Sequence, residues 1–317
     1  MSNIPQRKLT VVGGGYVGST CAHLAALKDL AREIVLIDVV EDRPQGIALD
    51  LNQSAAVEGF QTEIIGTNDP EDTYDSDVVI VTAGLPRKPG MSRSDLLEVN
   101  GGIVTEVAAT IRRGSPDAVV IVVTNPLDSM VTLMRAQLGF PAQRVIGMAG
   151  VLDSARFCWF IAKATGCSVK DVDAMVLGAH GDSMVPMPTY CTVNGVHLLD
   201  LVSTDEVHAM ADRTRKGGAE IVSLLKTGSA WYAPASAAVA MAESVLNDAD
   251  RLLPCACLLN GEYGHEGLYM GVPAILGSGG VKKIVEVPLN NESRAALHST
   301  ADSIATDVQA MRDLGLF

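Results

Sequence analysis

The chain has 317 residues, a formal net charge of −13, 48% hydrophobic but only 4% aromatic residues, and 30 glycines. This length exceeds what one hydrophobic core usually fills, so two lobes are expected, and the acidic balance excludes DNA, RNA or an anionic membrane as the main partner. Six cysteines without a CxxC pair or zinc-finger spacing point to buried free thiols in a reducing compartment and to no metal centre. Residues 1–8 lack the apolar stretch of a signal peptide and no apolar run reaches membrane-span length, so a cytoplasmic protein is expected.

From residue 8 to about 148, short β-branched runs alternate with helix-length segments. The predicted strands, 8–12, 33–37, 63–66, 78–82, 118–124 and 144–148, are almost continuously apolar, as parallel strands covered on both faces must be. Six of them with crossover helices make an α/β, doubly wound Rossmann half. After Gly150 the pattern becomes mixed α+β: helix 154–165, strand 173–177, a hairpin at Asn194-Gly195, helices 204–225 and 234–247, strands 256–260, 268–275 and 282–286, and a last helix 291–313 capped by Asn290 or Asn291. The division falls at 1–149 and 150–317. No linker or repeat separates the halves, so a ligand cleft is expected where they meet.

Gly13-Gly14-Gly15-Tyr16-Val17-Gly18 matches G-x-G-x-x-G between the first strand and a helix. Glycine serves there for a tight turn, for close approach of backbone to pyrophosphate, and for close helix-to-strand packing, while the helix N-terminus offers amide donors to the phosphates. Asp38 ends the second strand, where a carboxylate accepts from adenosine ribose hydroxyls and repels an added phosphate. Gly13, Gly15, Gly18 and Asp38 therefore predict NAD rather than NADP. An ordinary glycine-rich turn with a capping Asp is the plain alternative.

Against the acidic background, Leu85-Pro86-Arg87-Lys88-Pro89-Gly90-Met91-Ser92-Arg93 gathers three cations on a loop after a strand, a local anion site. Three further stretches follow apolar runs, where an α/β sheet delivers residues to its ligand crevice: 123–128 with Asn125, 150–156 with Asp153 and Arg156, and 177–183 with His180. Asp153 and Arg156 stand three apart on a predicted helix and so share a side; a surface ion pair would show the same spacing.

With the glycine turn, these stretches resemble the lactate/malate dehydrogenase family in order and spacing, from about residue 8 to the C-terminus. The resemblance implies reversible, NAD-dependent hydride transfer to a 2-oxo acid, with His180 as proton donor and acceptor, Asp153 fixing its tautomer, Arg156 binding the C1 carboxylate in a bidentate fork, and Arg93 polarising the reacting carbonyl. Asn125 would bind the reacting oxygen and, with Asn100, the cofactor. The position reading the far end of the substrate is Arg87, a guanidinium for the second carboxylate of oxaloacetate that a methyl group would leave unpaired. Ser229, in the stretch 226–234, would line that end of the pocket.

The pattern around Ser229 looks most like the lactate-dehydrogenase-like branch of malate dehydrogenases. That implies interconversion of malate and oxaloacetate within the tricarboxylic acid cycle, a small dicarboxylate as the ligand, and a homo-oligomer, tetramer or dimer. A lactate or other 2-hydroxy acid dehydrogenase is the sister reading. A non-catalytic NAD-binding protein is the rival, needing only the glycines and Asp38. Lys88 and Cys158 receive no role, Trp159 is expected to fill a packing or subunit contact, and Cys255 and Cys257 are expected to be simply buried.

Overall fold

A computed structural model describes residues 6–86 and 91–317. Arg87 and Lys88 lie outside the described residues, as do Pro89, Gly90 and the side chain of Arg93. In chain order the first elements are β1 (Lys8–Val12), α1 (Tyr16–Leu27), β2 (Glu33–Ile37), α2 (Arg43–Glu58), β3 (Glu63–Thr67), β4 (Val78–Val81), α3 (Arg93–Gly114), β5 (Val119–Val122), α4 (Leu127–Leu138) and β6 (Val145–Gly147). All six strands run parallel, ordered β6-β5-β4-β1-β2-β3. Their apolarity has its expected cause: every residue of β4 and of β5 is buried, because helices cover both faces.

Then follow α5 (Gly150–Thr165), β7 (Val172–Asp173), β8 (Val176–Leu177), β9 (Val185–Pro186), β10 (Thr192–Val193), β11 (Val196–His197), α6 (Leu198–Leu201), α7 (Thr204–Leu225), α8 (Tyr232–Leu246), β12 (Arg251–Asn260), β13 (Glu266–Gly277), β14 (Gly280–Ile284) and α9 (Asn291–Asp313). The fold class is as read: a doubly wound parallel sheet followed by an α+β portion.

Two details differ from the sequence reading. The strand expected at 173–177 divides into β7, which joins β10 and β11, and β8, which pairs with β9. The strand expected at 256–260 begins at Arg251, because Pro254 faces Pro273 across an antiparallel pair and no ladder bond between β12 and β13 is lost there. The antiparallel β12, β13 and β14 also extend the parallel sheet to nine strands. Ala256 sits opposite Gly147 at this junction, where an added Cβ on the glycine would lie 2.9 Å from the Ala256 Cβ.

α1 buries only small residues, Gly18, Cys21, Ala22, Ala25 and Ala26, and packs on α8, which buries Ala235, Ala237 and Ala238. This close seam brings the start of the chain against its second half. Capping boxes start α3 (Ser92 with Asp95) and α7 (Ser203 with Glu206), each worth about 0.5–2 kcal/mol. Among the described residues, no helix is long and apolar enough to cross a membrane.

Candidate active site

At the carboxyl ends of β1, β2 and β4 the backbone opens a cleft of about 630 Å³, lined by Gly13, Gly15, Asp38, Thr82, Gly84 and Leu85 among others. Gly13 has φ +106, and an added Cβ would stand 2.8 Å from Thr82 Oγ1. At Gly18 a Cβ would meet the Gly13 carbonyl oxygen at 1.8 Å. At Gly15 it would meet nothing within 4 Å. Two of the glycines thus hold the turn closed while the third faces open space at the amino end of α1, a shape that accepts a pyrophosphate.

Asp38 is oriented by the same turn: its Oδ2 accepts the Gly14 N–H at 2.6 Å and its Oδ1 the Val40 N–H at 2.8 Å. Both oxygens keep a lone pair for a sugar hydroxyl. A methyl at Gly14 would come within 3.2 Å of Asp38 Cβ and Oδ2, so glycine lets the turn close on the carboxylate. The residues present fit a dinucleotide.

Asn100 is buried at 1% exposure. Its Oδ1 accepts the Leu85 N–H, and its Nδ2 donates to the carbonyls of Leu85 and, at 2.6 Å, of Asn125. It therefore ties the ends of β4 and β5 together beneath the cleft. Asn125 itself is exposed at the end of β5, joined to Pro126 by a cis peptide. Ser229 is exposed between α7 and α8, with its hydroxyl toward the Ala230 carbonyl at 3.4 Å. Arg87 lies outside the described residues, and of Arg93 only the backbone is described, as the first residue of α3.

His180, Asp153 and Arg156 come together. His180 lies in the loop after β8, between Gly178 (φ +87) and Gly181 (φ +152). Gly178 and Gly271 exchange two backbone hydrogen bonds of 2.9 Å, so this loop is fastened to β13. The His180 Nδ1 stands 2.9 Å from Asp153 Oδ2, and Arg156 Nη1 donates to Asp153 Oδ1 at 3.2 Å. Asp153 is 2% exposed, so one buried carboxylate faces two cationic partners. Burial alone would lower the His180 pKa, but the charge and hydrogen bond of Asp153, with the charge of Asp128, outweigh it and raise the imidazole above its ordinary value.

The sequence reading gave Asp128 no role. From the first turn of α4 its Oδ2 accepts the His180 backbone N–H at 3.0 Å, while Oδ1 is buried with no partner among the described residues. Burial pushes this carboxyl up to about 6, against the pull of His180. Two further residues escaped that reading, Gly217 and Gly218 in the interior of α7. A Cβ at Gly217 would lie 3.1 Å from Arg156 Cδ, and one at Gly218 3.7 Å from Nη2. Adjacent glycines inside a long helix cost about 1 kcal/mol each and were the available signal. They clear a channel for Arg156, whose Nε stays buried without an acceptor among the described residues. An oriented imidazole beside a guanidinium with unused donors suits proton exchange with a carboxylate-bearing substrate. Among the described residues no group of three or more His, Cys, Asp or Glu could hold a metal.

Comparison with known proteins agrees with this geometry. Residues 7–147 match the lactate/malate dehydrogenase NAD-binding domain, and residues 150–313 the alpha/beta C-terminal domain of the same proteins. A malate dehydrogenase of Roseiflexus castenholzii is 48% identical over 97% of this chain and 99% of its own. The crystal structure of Cryptosporidium parvum malate dehydrogenase superposes with a TM-score of 0.95 at 43% identity, covering 98% of this chain and all of that one. The lactate dehydrogenase of the same organism, complexed with lactic acid and nicotinamide adenine dinucleotide, gives 0.94 at 40% identity over 98% and 99% of the two chains. The chain belongs to the lactate/malate dehydrogenase family.

Proposed function

We propose that this chain interconverts malate and oxaloacetate with NAD as the hydride carrier. The observation that carries the reading is the buried cluster of His180, Asp153 and Arg156 beside a glycine turn shaped for a dinucleotide. Gly13, Gly15 and Gly18 hold the pyrophosphate, Asp38 the adenosine ribose, and Asn125 the nicotinamide side, over a floor that Asn100 braces. When bound, the nicotinamide supplies or accepts the hydride at the substrate's C2.

The protein's own groups do the rest. Arg156 takes the C1 carboxylate through the donors that Asp153 leaves free. The His180 Nε2 gives its proton to the carbonyl oxygen during reduction, and Asp153 holds the Nδ1–H and offsets the imidazolium charge that His180 carries before transfer. Arg93 adds positive charge where alkoxide develops, while Asn125 donates to the same oxygen. To Arg87 falls the pairing with the second carboxylate, and to Ser229 the lining of the pocket's end. A relative of the same fold is complexed with lactic acid, a monocarboxylate, which supports assigning the choice of a dicarboxylate to a side chain, Arg87, and not to the fold.

The reading extends to a cofactor domain over 1–149, a substrate domain over 150–317, a cytoplasmic enzyme of the tricarboxylic acid cycle, and a homotetramer. Leu49 and Val57 on α2 and Leu224 on α7 are 61%, 85% and 73% exposed in the single chain, which supports assembly. The test is Arg87→Gln: kcat/KM for oxaloacetate falls at least about 100-fold and the preference moves toward pyruvate. An unchanged preference would place specificity elsewhere.

A further inference from the structure

Three aromatic side chains at the seam of α1 and α8 have no part in this chemistry. Tyr16 opens α1 directly after Gly15 and is 67% exposed. Its ring centroid lies 5.0 Å from that of Trp231, the residue preceding α8, and Trp231 lies 5.2 Å from Tyr232. The segment leading into Trp231 has no regular structure: Lys226 (φ +64) and Gly228 (φ +78) are left-handed, and 226–229 are exposed. Ser229 belongs to this segment. The Tyr16 ring thus stands where the phosphate turn, which faces open space at Gly15, meets the stretch that carries Ser229.

We infer that Tyr16 is a positioning residue for the substrate pocket: its ring, fixed at the amino end of α1, holds Trp231 and with it the segment 226–231, so that cofactor binding and pocket assembly share one aromatic contact. This rests on the reading in which the glycine turn holds NAD and Ser229 borders the substrate. A dinucleotide seated on the turn covers part of the exposed Tyr16 and restricts its ring, and whatever steadies Tyr16 steadies Trp231. The benefit is reciprocal, because a ligand that orders the segment must favour the cofactor equally. The small-residue packing of α1 on α8 fixes the two helices, so loss of the Tyr16 ring frees Trp231 and the segment before it without separating α1 from α8.

The experiment compares Tyr16→Ala and Tyr16→Phe in the full-length enzyme. Loss of one aromatic pair raises the KM for oxaloacetate about five- to ten-fold in Tyr16→Ala, while the Kd of NADH for the enzyme without substrate changes less than about two-fold; Tyr16→Phe behaves as wild type. A second readout needs no turnover. The chain has two tryptophans, so Trp159→Phe isolates Trp231, whose emission shifts on adding NAD⁺ and no longer does so once Tyr16→Ala is added. The inference is overturned if the oxaloacetate KM stays put, if the Kd of NADH without substrate rises as much, if the emission response survives in Tyr16→Ala, or if that variant changes the oligomeric state. Should the wild type turn over no oxaloacetate, the substrate reading fails, and the emission arm alone decides the role of Tyr16.

Discussion

Asp153→Asn removes the charge that the buried cluster shares and alters almost nothing in shape. In the native chain Asp153 Oδ2 is 2.9 Å from His180 Nδ1. A charge pair at that distance attracts by about 6 kcal/mol at an effective dielectric near 20, and the carboxylate's charge and hydrogen bond hold the imidazole pKa up. The folded-state pKa of His180 is raised, so the stabilising protonated pair is fully present below the imidazole's unfolded value and is lost as pH rises through the folded value. Reduction requires the protonated imidazole, and its rate falls over that same higher window.

Without the carboxylate the falling limb of kcat/KM for oxaloacetate moves to lower pH, and activity near neutrality drops at least about 10-fold. Stability falls as well, by about 3–5 kcal/mol, since Arg156 keeps its charge without its buried partner. Initial rates of NADH oxidation across the pH range separate the two effects. A variant that is less stable and slower, yet whose limb stays where the wild type has it, would refute the assignment of Asp153.

Three other outcomes follow from the same geometry. Gly18→Ala places a methyl against the Gly13 carbonyl oxygen and abolishes cofactor binding together with stability, whereas Gly15→Ala keeps the wild-type melting temperature and weakens NAD affinity, as calorimetry would record. Gly217→Ala gains about 1 kcal/mol of helix propensity but crowds Arg156 Cδ, so the melting temperature holds or rises while the KM for oxaloacetate increases; an unchanged KM would mean Arg156 does not bind the substrate. Asp128→Asn keeps an acceptor for the His180 N–H but removes a charge that raises the imidazole pKa, so the falling limb of reduction shifts down by less than in Asp153→Asn.

Much of this was legible in local patterns. The glycine turn, Asp38, the six parallel strands, the Asn194-Gly195 hairpin (Thr192 opposite His197) and the Asn290 cap each depend on residues near one another in sequence. The cluster of His180 with Asp153 spans 27 positions and was reached only through family resemblance, as no periodicity links a loop after β8 to the first turn of α5.

What stayed hidden depends on distant backbone. Asp128 acquires its place because the His180 loop crosses the start of α4, 52 residues away. Asn100 reads as a polar residue on a helix until the ends of β4 and β5 close around its amide. The nine-stranded sheet required Gly147 to meet Ala256, a contact no local rule anticipates.

The central claim is that this site is built for a dicarboxylate, and steady-state turnover of oxaloacetate against pyruvate with NADH tests it most directly. The expected kcat/KM ratio is about 10⁴ or more in favour of oxaloacetate, the scale on which a site built to pair a polar group rejects an analogue lacking it. A ratio near one, or a preference for pyruvate, would contradict it.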